Sequence, residues 1–211
     1  MKKLLQLRWK RQERMPKSRS LWTRVIQGSL LGAFAAGILL ANLMGREAVS
    51  NAGILNDYFV EKFQYTEVSG ENLFFYIIGE RVPLVLLLLM LALTTLSMVG
   101  GILMLSWQGF SVGFMLSTAI AKYGVKGILL VLGGLFPQYL FYLPVYILYC
   151  YLANYLRLRL SKDRIGNGSD RGYILGAWLV SAAGLLVLFV MGIFLESYVN
   201  PLILKKILKI F

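Results

Sequence analysis

GILLVLGGLFPQYLFYLPVYILYCYLANY, residues Gly127 to Tyr155, runs for 29 residues without a Lys, Arg, Asp or Glu. Roughly twenty apolar residues in a helix cross the hydrocarbon core of a bilayer, so this run belongs in a membrane. Two prolines and a glutamine interrupt it, at Pro137, Pro144 and Gln138. The rest of the chain has the same character: of 211 residues, 58% are hydrophobic and 15% charged, respectively above and below the shares of an ordinary soluble domain. These totals imply an all-α integral membrane protein, a polytopic bundle of about five transmembrane helices with a C-terminal amphipathic interfacial helix.

The other segments follow from the same criterion. A basic segment, residues 1–24, carries nine Lys or Arg and precedes a first span over residues 25–44. No small-x-small cleavage site follows that span, so an uncleaved first helix is expected. Residues 45–82 form the one sizeable polar segment, with three basic and six acidic residues. Within it Ile54, Leu55, Tyr58, Phe59 and Phe63 recur at helical spacing, and Ser69-Gly70-Glu71 resembles a helix start. Two short amphipathic helices are expected there, against the membrane surface. A second span is expected over 83–101, with Pro83 in its first turn, and a third over 102–121. Between these two there is almost nothing polar; Gln108 either marks a turn or is buried. The fourth span covers 127–155 and carries the prolines. A basic loop at 156–172, a fifth span at 173–196 and a Lys-bearing amphipathic tail at 197–211 complete the chain.

The net charge of +12 lies in short segments beside apolar runs. That distribution fits the positive-inside rule and contact with membrane lipids rather than nucleic acid. With five spans the N-terminus and the 156–172 loop are inside and the acidic segment outside. Inner segments then hold fourteen Lys or Arg against eight outside. A third segment that dips in and returns gives the same count; its twenty apolar residues favour a full span. The chain has no His and one cysteine, Cys150. A His-based triad, the usual His or multi-Cys zinc site and a His-ligated haem are thereby excluded. Asp57, Asp163 and Asp170 all lie in polar segments, so no intramembrane protease set exists. Neither a catalytic residue, a cofactor nor a metal is expected.

Gly28, Gly32 and Ala36 in the first span, and Gly109, Gly113 and Ser117 in the third, recur every four residues. Each set leaves a helix face almost bare, which lets another helix approach closely. Pro137 and Pro144, seven residues apart, share one face of the fourth span. Each frees a backbone carbonyl that must meet protein or water rather than lipid, with Gln138 beside them as a donor. The opposite face carries Tyr139, Tyr142, Tyr146 and Tyr149, over too great a depth for an aromatic belt. Packing within the chain's own bundle and contact with a partner helix are both open for this stripe. Glu196, at the end of the fifth span, is either a functional intramembrane carboxylate or a solvated, Ser197-bonded helix end.

Three stretches together resemble the stage II sporulation protein M family: WQGFSVGF from Trp107, FPQYLFYLPVY from Phe136 and FLESYVNPLIL from Phe194. Their order, intervals and five-span layout fit over nearly the whole chain. The specific element is a Pro followed by His or Gln, then four residues, Leu or Ile, and a second Pro. Many members carry His and Glu within it, as in PHGIFELP; Gln138 and Tyr142 occupy those two positions here. The resemblance implies a non-enzymatic membrane anchor that localises peptidoglycan-degrading proteins at the septal membrane during forespore engulfment. Stage II sporulation proteins D and P are its implied partners. A transporter or permease subunit with a cavity near Gln138 and Glu196 is the alternative. If the outer segment holds a partner, Phe59→Glu and Phe63→Glu release it while insertion stands. Loss of expression in both variants would instead make these aromatics structural.

Overall fold

The computed structural model describes residues 17–44, 69–163 and 171–209, and every element among them is helical. Helix α1 covers Lys17–Leu43, α2 Gly70–Leu91, α3 Ser97–Tyr123, α4 Val125–Asp163 and α5 Arg171–Phe194. A π-helical turn, Leu195–Val199, carries α5 directly into α6, Asn200–Leu208. Five stretches are long and apolar enough to cross a membrane, the last running from Gly172 to Leu208. The protein is a multi-pass helical membrane protein.

The second and third spans differ from their expected bounds. Helix α2 begins at residue 70 rather than 83. Ser69 caps it by accepting the Asn72 N–H, and the helix runs on through Pro83. Residues 70–82, assigned above to the outer polar segment, are thus the first half of a span. The break falls at Thr94 and Thr95, not near Gly101. The Thr94 N–H donates to the Leu91 carbonyl at 2.9 Å and its hydroxyl donates to the same oxygen at 2.8 Å. A hydroxyl that competes for the last carbonyls ends a helix, and two apolar flanks conceal that stop from a hydropathy reading. Helix α3 is then one helix of 27 residues, about 40 Å long at 1.5 Å per residue, and does not dip and return. Helix α4 also outruns its expected range, reaching Asp163 without a break at either proline. The tail is amphipathic, with Leu208 buried and Lys206 exposed. It continues α5 instead of forming a separate element, and Leu204, Ile207 and Leu208 pack on Ala119, Leu130 and Val131.

Close approach of backbones holds α1 to α3. A Cβ at Gly109 would come within 2.5 Å of the Leu30 carbonyl oxygen, and one at Gly113 would strike the Phe34 carbonyl. Ser117 donates to the Asn42 side chain at 3.4 Å. On α1 the matching surface is Ile26, Leu30, Phe34, Gly37 and Ala41, with Gly37 against the Phe110 carbonyl. Gly28, Gly32 and Ala36 are not part of it; they face outward, and nothing lies within 4 Å of a Cβ at either glycine. This corrects the packing face expected for the first span. Small residues occur on two sides of α1, and Gly37 lies on the side that meets α3. Gly124, with φ of +60°, makes the one-residue turn into α4, and Gly127 then packs on the Ala119 carbonyl.

The main core lies where α4 meets α5, with Tyr142, Val145, Leu156, Phe189 and Ile193 fully buried beside Leu105 of α3. The outside is apolar as well: Leu31, Leu103, Trp107 and Val180 are all well exposed, as a surface solvated by lipid requires. The packing contrast gives a test. Gly113→Leu overfills the α1–α3 contact and lowers stability by about 1–3 kcal/mol, whereas Gly32→Leu leaves it unchanged. Reversible unfolding of both variants in detergent micelles measures the difference.

Candidate functional site

The costliest residues in a membrane are charged ones, and two of them meet inside this bundle. Arg81 lies eleven residues into α2 and ten from its end. Its Nη2 donates to Glu196 Oε1 at 2.5 Å, with the arginine side chain 34% and the glutamate side chain 14% exposed. The other oxygen of Glu196 accepts from the Tyr142 hydroxyl at 2.6 Å. The guanidinium stands 5.1 Å from the centroid of the Tyr142 ring, within cation–π range. Each member comes from a different part of the chain: α2, α4 and the π-turn. Tyr142 lies at the centre of the Val125–Leu160 stretch and Arg81 at that of Gly70–Leu91, so the cluster sits well inside the spans. Glu196 is therefore neither solvated nor bonded to Ser197, whose hydroxyl donates instead to the Ile193 carbonyl at 2.8 Å.

A second polar set lies beside the first. Asn200 Nδ2 donates to the Gly134 carbonyl at 2.8 Å and to Gln138 Oε1. Gln138 is thus an acceptor here, not the donor inferred from the sequence. Asn200 supplies the hydrogen for a carbonyl in the turn before Pro137. Glu196 and Asn200 are four residues apart, as are Gln138 and Tyr142 on the antiparallel α4, so the two pairs form adjacent rungs. Between them the helix widens: the Asn200 N–H bonds to the Leu195 carbonyl, five residues back. Pro201 follows directly and has no N–H to continue the regular ladder. Such π-turns recur at functional sites. The rungs involve the two positions at which many members of the resembled family carry His and Glu, so the substituted element is the one that faces α5 and α6.

The tyrosine stripe points inward. Tyr142, Tyr146 and Tyr149 are buried in the chain's own core, with Tyr142 and Tyr146 against Phe189 at centroid distances of 4.8 and 6.3 Å. Tyr149 donates to the Ser97 carbonyl at 3.3 Å. Tyr139, half-buried, donates to Gln108 Oε1 at 2.7 Å, which makes Gln108 a buried bridge from α3 to α4 rather than a turn residue. Of the two readings open for this stripe, packing within the chain's own bundle is the one the structure shows, and the hydroxyls of Tyr139, Tyr142 and Tyr149 bond to groups far away in sequence. The proline side is the more open one, with Pro144 exposed. The outer-segment candidates Tyr58, Phe59 and Phe63 lie outside the described residues.

A cavity of about 460 Å³ lies between α1, α3 and α4, lined by Leu30, Phe34, Phe136, Leu140 and Pro144 together with Gln108 and Tyr139. The last two bond to each other, so the remaining wall is apolar. Gln138 and Glu196 do not line this cavity. No group of three potential metal ligands occurs among the described residues.

Arg81 and Asn200 escaped the sequence reading. Arg81 was counted with the outer polar segment and Asn200 with the tail. The signal for Arg81 was available in Glu196 itself: a carboxylate in one apolar run calls for a cation in another.

The family description for stage II sporulation protein M matches residues 27–201. That range contains the α1–α3 contact, the Arg81–Glu196–Tyr142 cluster and the Gln138–Asn200 rung. Searches of curated proteins and of solved structures returned no match.

Breaking one half of a sequestered ion pair strands the other half. Arg81→Met and Glu196→Gln are each expected to destabilise the chain, and the double variant to recover part of the loss. A double-mutant cycle by unfolding in micelles should give a coupling of about 1–3 kcal/mol. A value near zero would show that the pair is not formed in the folded protein.

Proposed function

This chain belongs to the stage II sporulation protein M family, and on that premise we propose that it is a non-enzymatic membrane anchor. In this reading it recruits and localises peptidoglycan-degrading proteins at the septal membrane while the mother cell engulfs the forespore. Stage II sporulation proteins D and P are the partners it would hold. The basic N-terminus is cytoplasmic and residues 45–69 face the wall, where those partners work.

The observation that supports this reading is how the polar groups within the spans are used. Arg81, Glu196 and Tyr142 bond to one another, as do Gln108 with Tyr139 and Gln138 with Asn200. A solute path would present such groups to a hydrated cavity, whereas the cavity between α1, α3 and α4 has an apolar wall. An active site would aim a nucleophile or an acid–base pair at a substrate space. Groups that bond to one another across helices serve instead to fix how the helices sit. A fixed bundle suits an anchor, whose task is to present a constant outer segment and a constant lipid-facing surface.

The test is affinity purification of a tagged full-length chain from starving, spore-forming cells, followed by mass spectrometry. Wall hydrolases are expected to co-purify. Recovery of an ATPase or a solute-binding protein, without a wall enzyme, would overturn the anchor in favour of a transporter subunit.

A further inference from the structure

Glu80 is the charged residue that the mid-span cluster leaves out. It precedes Arg81 at the middle of α2, yet it is exposed on the outside of the bundle. It has neither an ion-pair nor a hydrogen-bond partner among the described residues. Pro83, also exposed, has no N–H to offer the Gly79 carbonyl one turn earlier. Gly79 is open as well, with nothing within 4 Å of where a Cβ would stand. Tyr76, Gly79, Glu80, Pro83, Leu84 and Leu87 share one outward face of the helix and are all exposed. This face therefore presents a carboxylate and a freed carbonyl to the hydrocarbon, halfway along a span. Both are acceptors, and lipid tails offer no donor.

We propose that this face of α2 is the docking site for a transmembrane helix of another protein, one that carries a Lys or Arg near its own midpoint. Charge selects this occupant. Among the described residues at this level one guanidinium, Arg81, stands with two carboxylates, Glu80 and Glu196, so one negative charge has no counterpart there. A second copy of this chain would bring the same surplus and double it. A visiting cation neutralises Glu80, and its several N–H donors also reach the Gly79 carbonyl. The bare surface at Gly79 admits the visiting backbone closely. Arg81 already tethers the inner side of α2 to Glu196 and Tyr142, so the docking face is held in place before the visitor arrives. The inference rests on the anchoring role above only in taking the visitor to be a protein held in the same membrane.

The test uses the full-length chain, dye-labelled in lipid bilayers, with apolar transmembrane peptides identical except for a central Arg, Leu or Glu. Energy transfer is expected to report association of the Arg peptide on the order of tenfold tighter than the Leu peptide. Glu80→Gln should reduce the Arg peptide to the level of the Leu peptide. Glu80→Arg should transfer the preference to the Glu peptide. Equal association of all three peptides overturns the proposal, as does Arg-peptide binding that survives Glu80→Gln. Self-association of the chain that disappears in Glu80→Gln would overturn it too, by making a second copy the occupant. No wall enzyme is present in this experiment, so its failure is distinct from a failure of the anchoring role, which the co-purification reads.

Discussion

A charge in the middle of a bilayer is costly until it meets its opposite, and the pairing of Arg81 with Glu196 organises this bundle around that requirement. Helix α2 meets the rest of the bundle at α3, α5 and the π-turn. The ion pair, the Tyr142 hydroxyl and the Trp178 Nε1 donation to the Leu89 carbonyl at 3.2 Å fix its height and rotation. Without a hydrophobic driving force between helices in lipid, such directional contacts carry a larger share of specificity than they would in water. The π-turn is part of the same arrangement. It lets α5 present Glu196 to Tyr142 and Asn200 to Gln138, and then run on as α6 along the start of α4.

The second organising device is the absence of side chains. Gly109, Gly113 and Gly37 bring the backbones of α1 and α3 into contact, and dispersion attraction grows with that proximity. The first helix is further tied at its other end, where Arg157 lies 5.2 Å from the ring centroid of Trp22 and the hydroxyls of Thr23 and Tyr151 meet at 3.2 Å. Two kinds of contact thus divide the bundle. Apolar backbone packing joins α1 to α3, while polar side-chain rungs join α2, α4 and the α5–α6 unit.

Much of the architecture was legible in the amino-acid sequence because span recognition depends only on length and apolar content. The Gly109–Gly113–Ser117 face was legible from its four-residue spacing. The corresponding inference failed on α1, where Gly28 and Gly32 were chosen although Gly37 makes the contact. In a helix whose whole circumference is apolar, periodicity does not say which side meets protein and which meets lipid. The tyrosine stripe was visible as a stripe, but its direction was not, since Glu196 lies 54 residues from Tyr142 and Gln108 31 residues from Tyr139. Arg81 was hidden by the same distance, 115 residues from its carboxylate. Local reading finds elements; the site is made of contacts between them.

The central claim is that Arg81, Glu196 and Tyr142 meet at mid-span in the folded protein. Magic-angle-spinning NMR of the chain in lipid bilayers, with labelled arginine, glutamate and tyrosine, measures this most directly. The account predicts a short-range correlation between an Arg81 guanidinium nitrogen and the Glu196 carboxyl carbon, and another from that carbon to the Tyr142 hydroxyl end. Resolved signals for all three residues with no such correlation would contradict it.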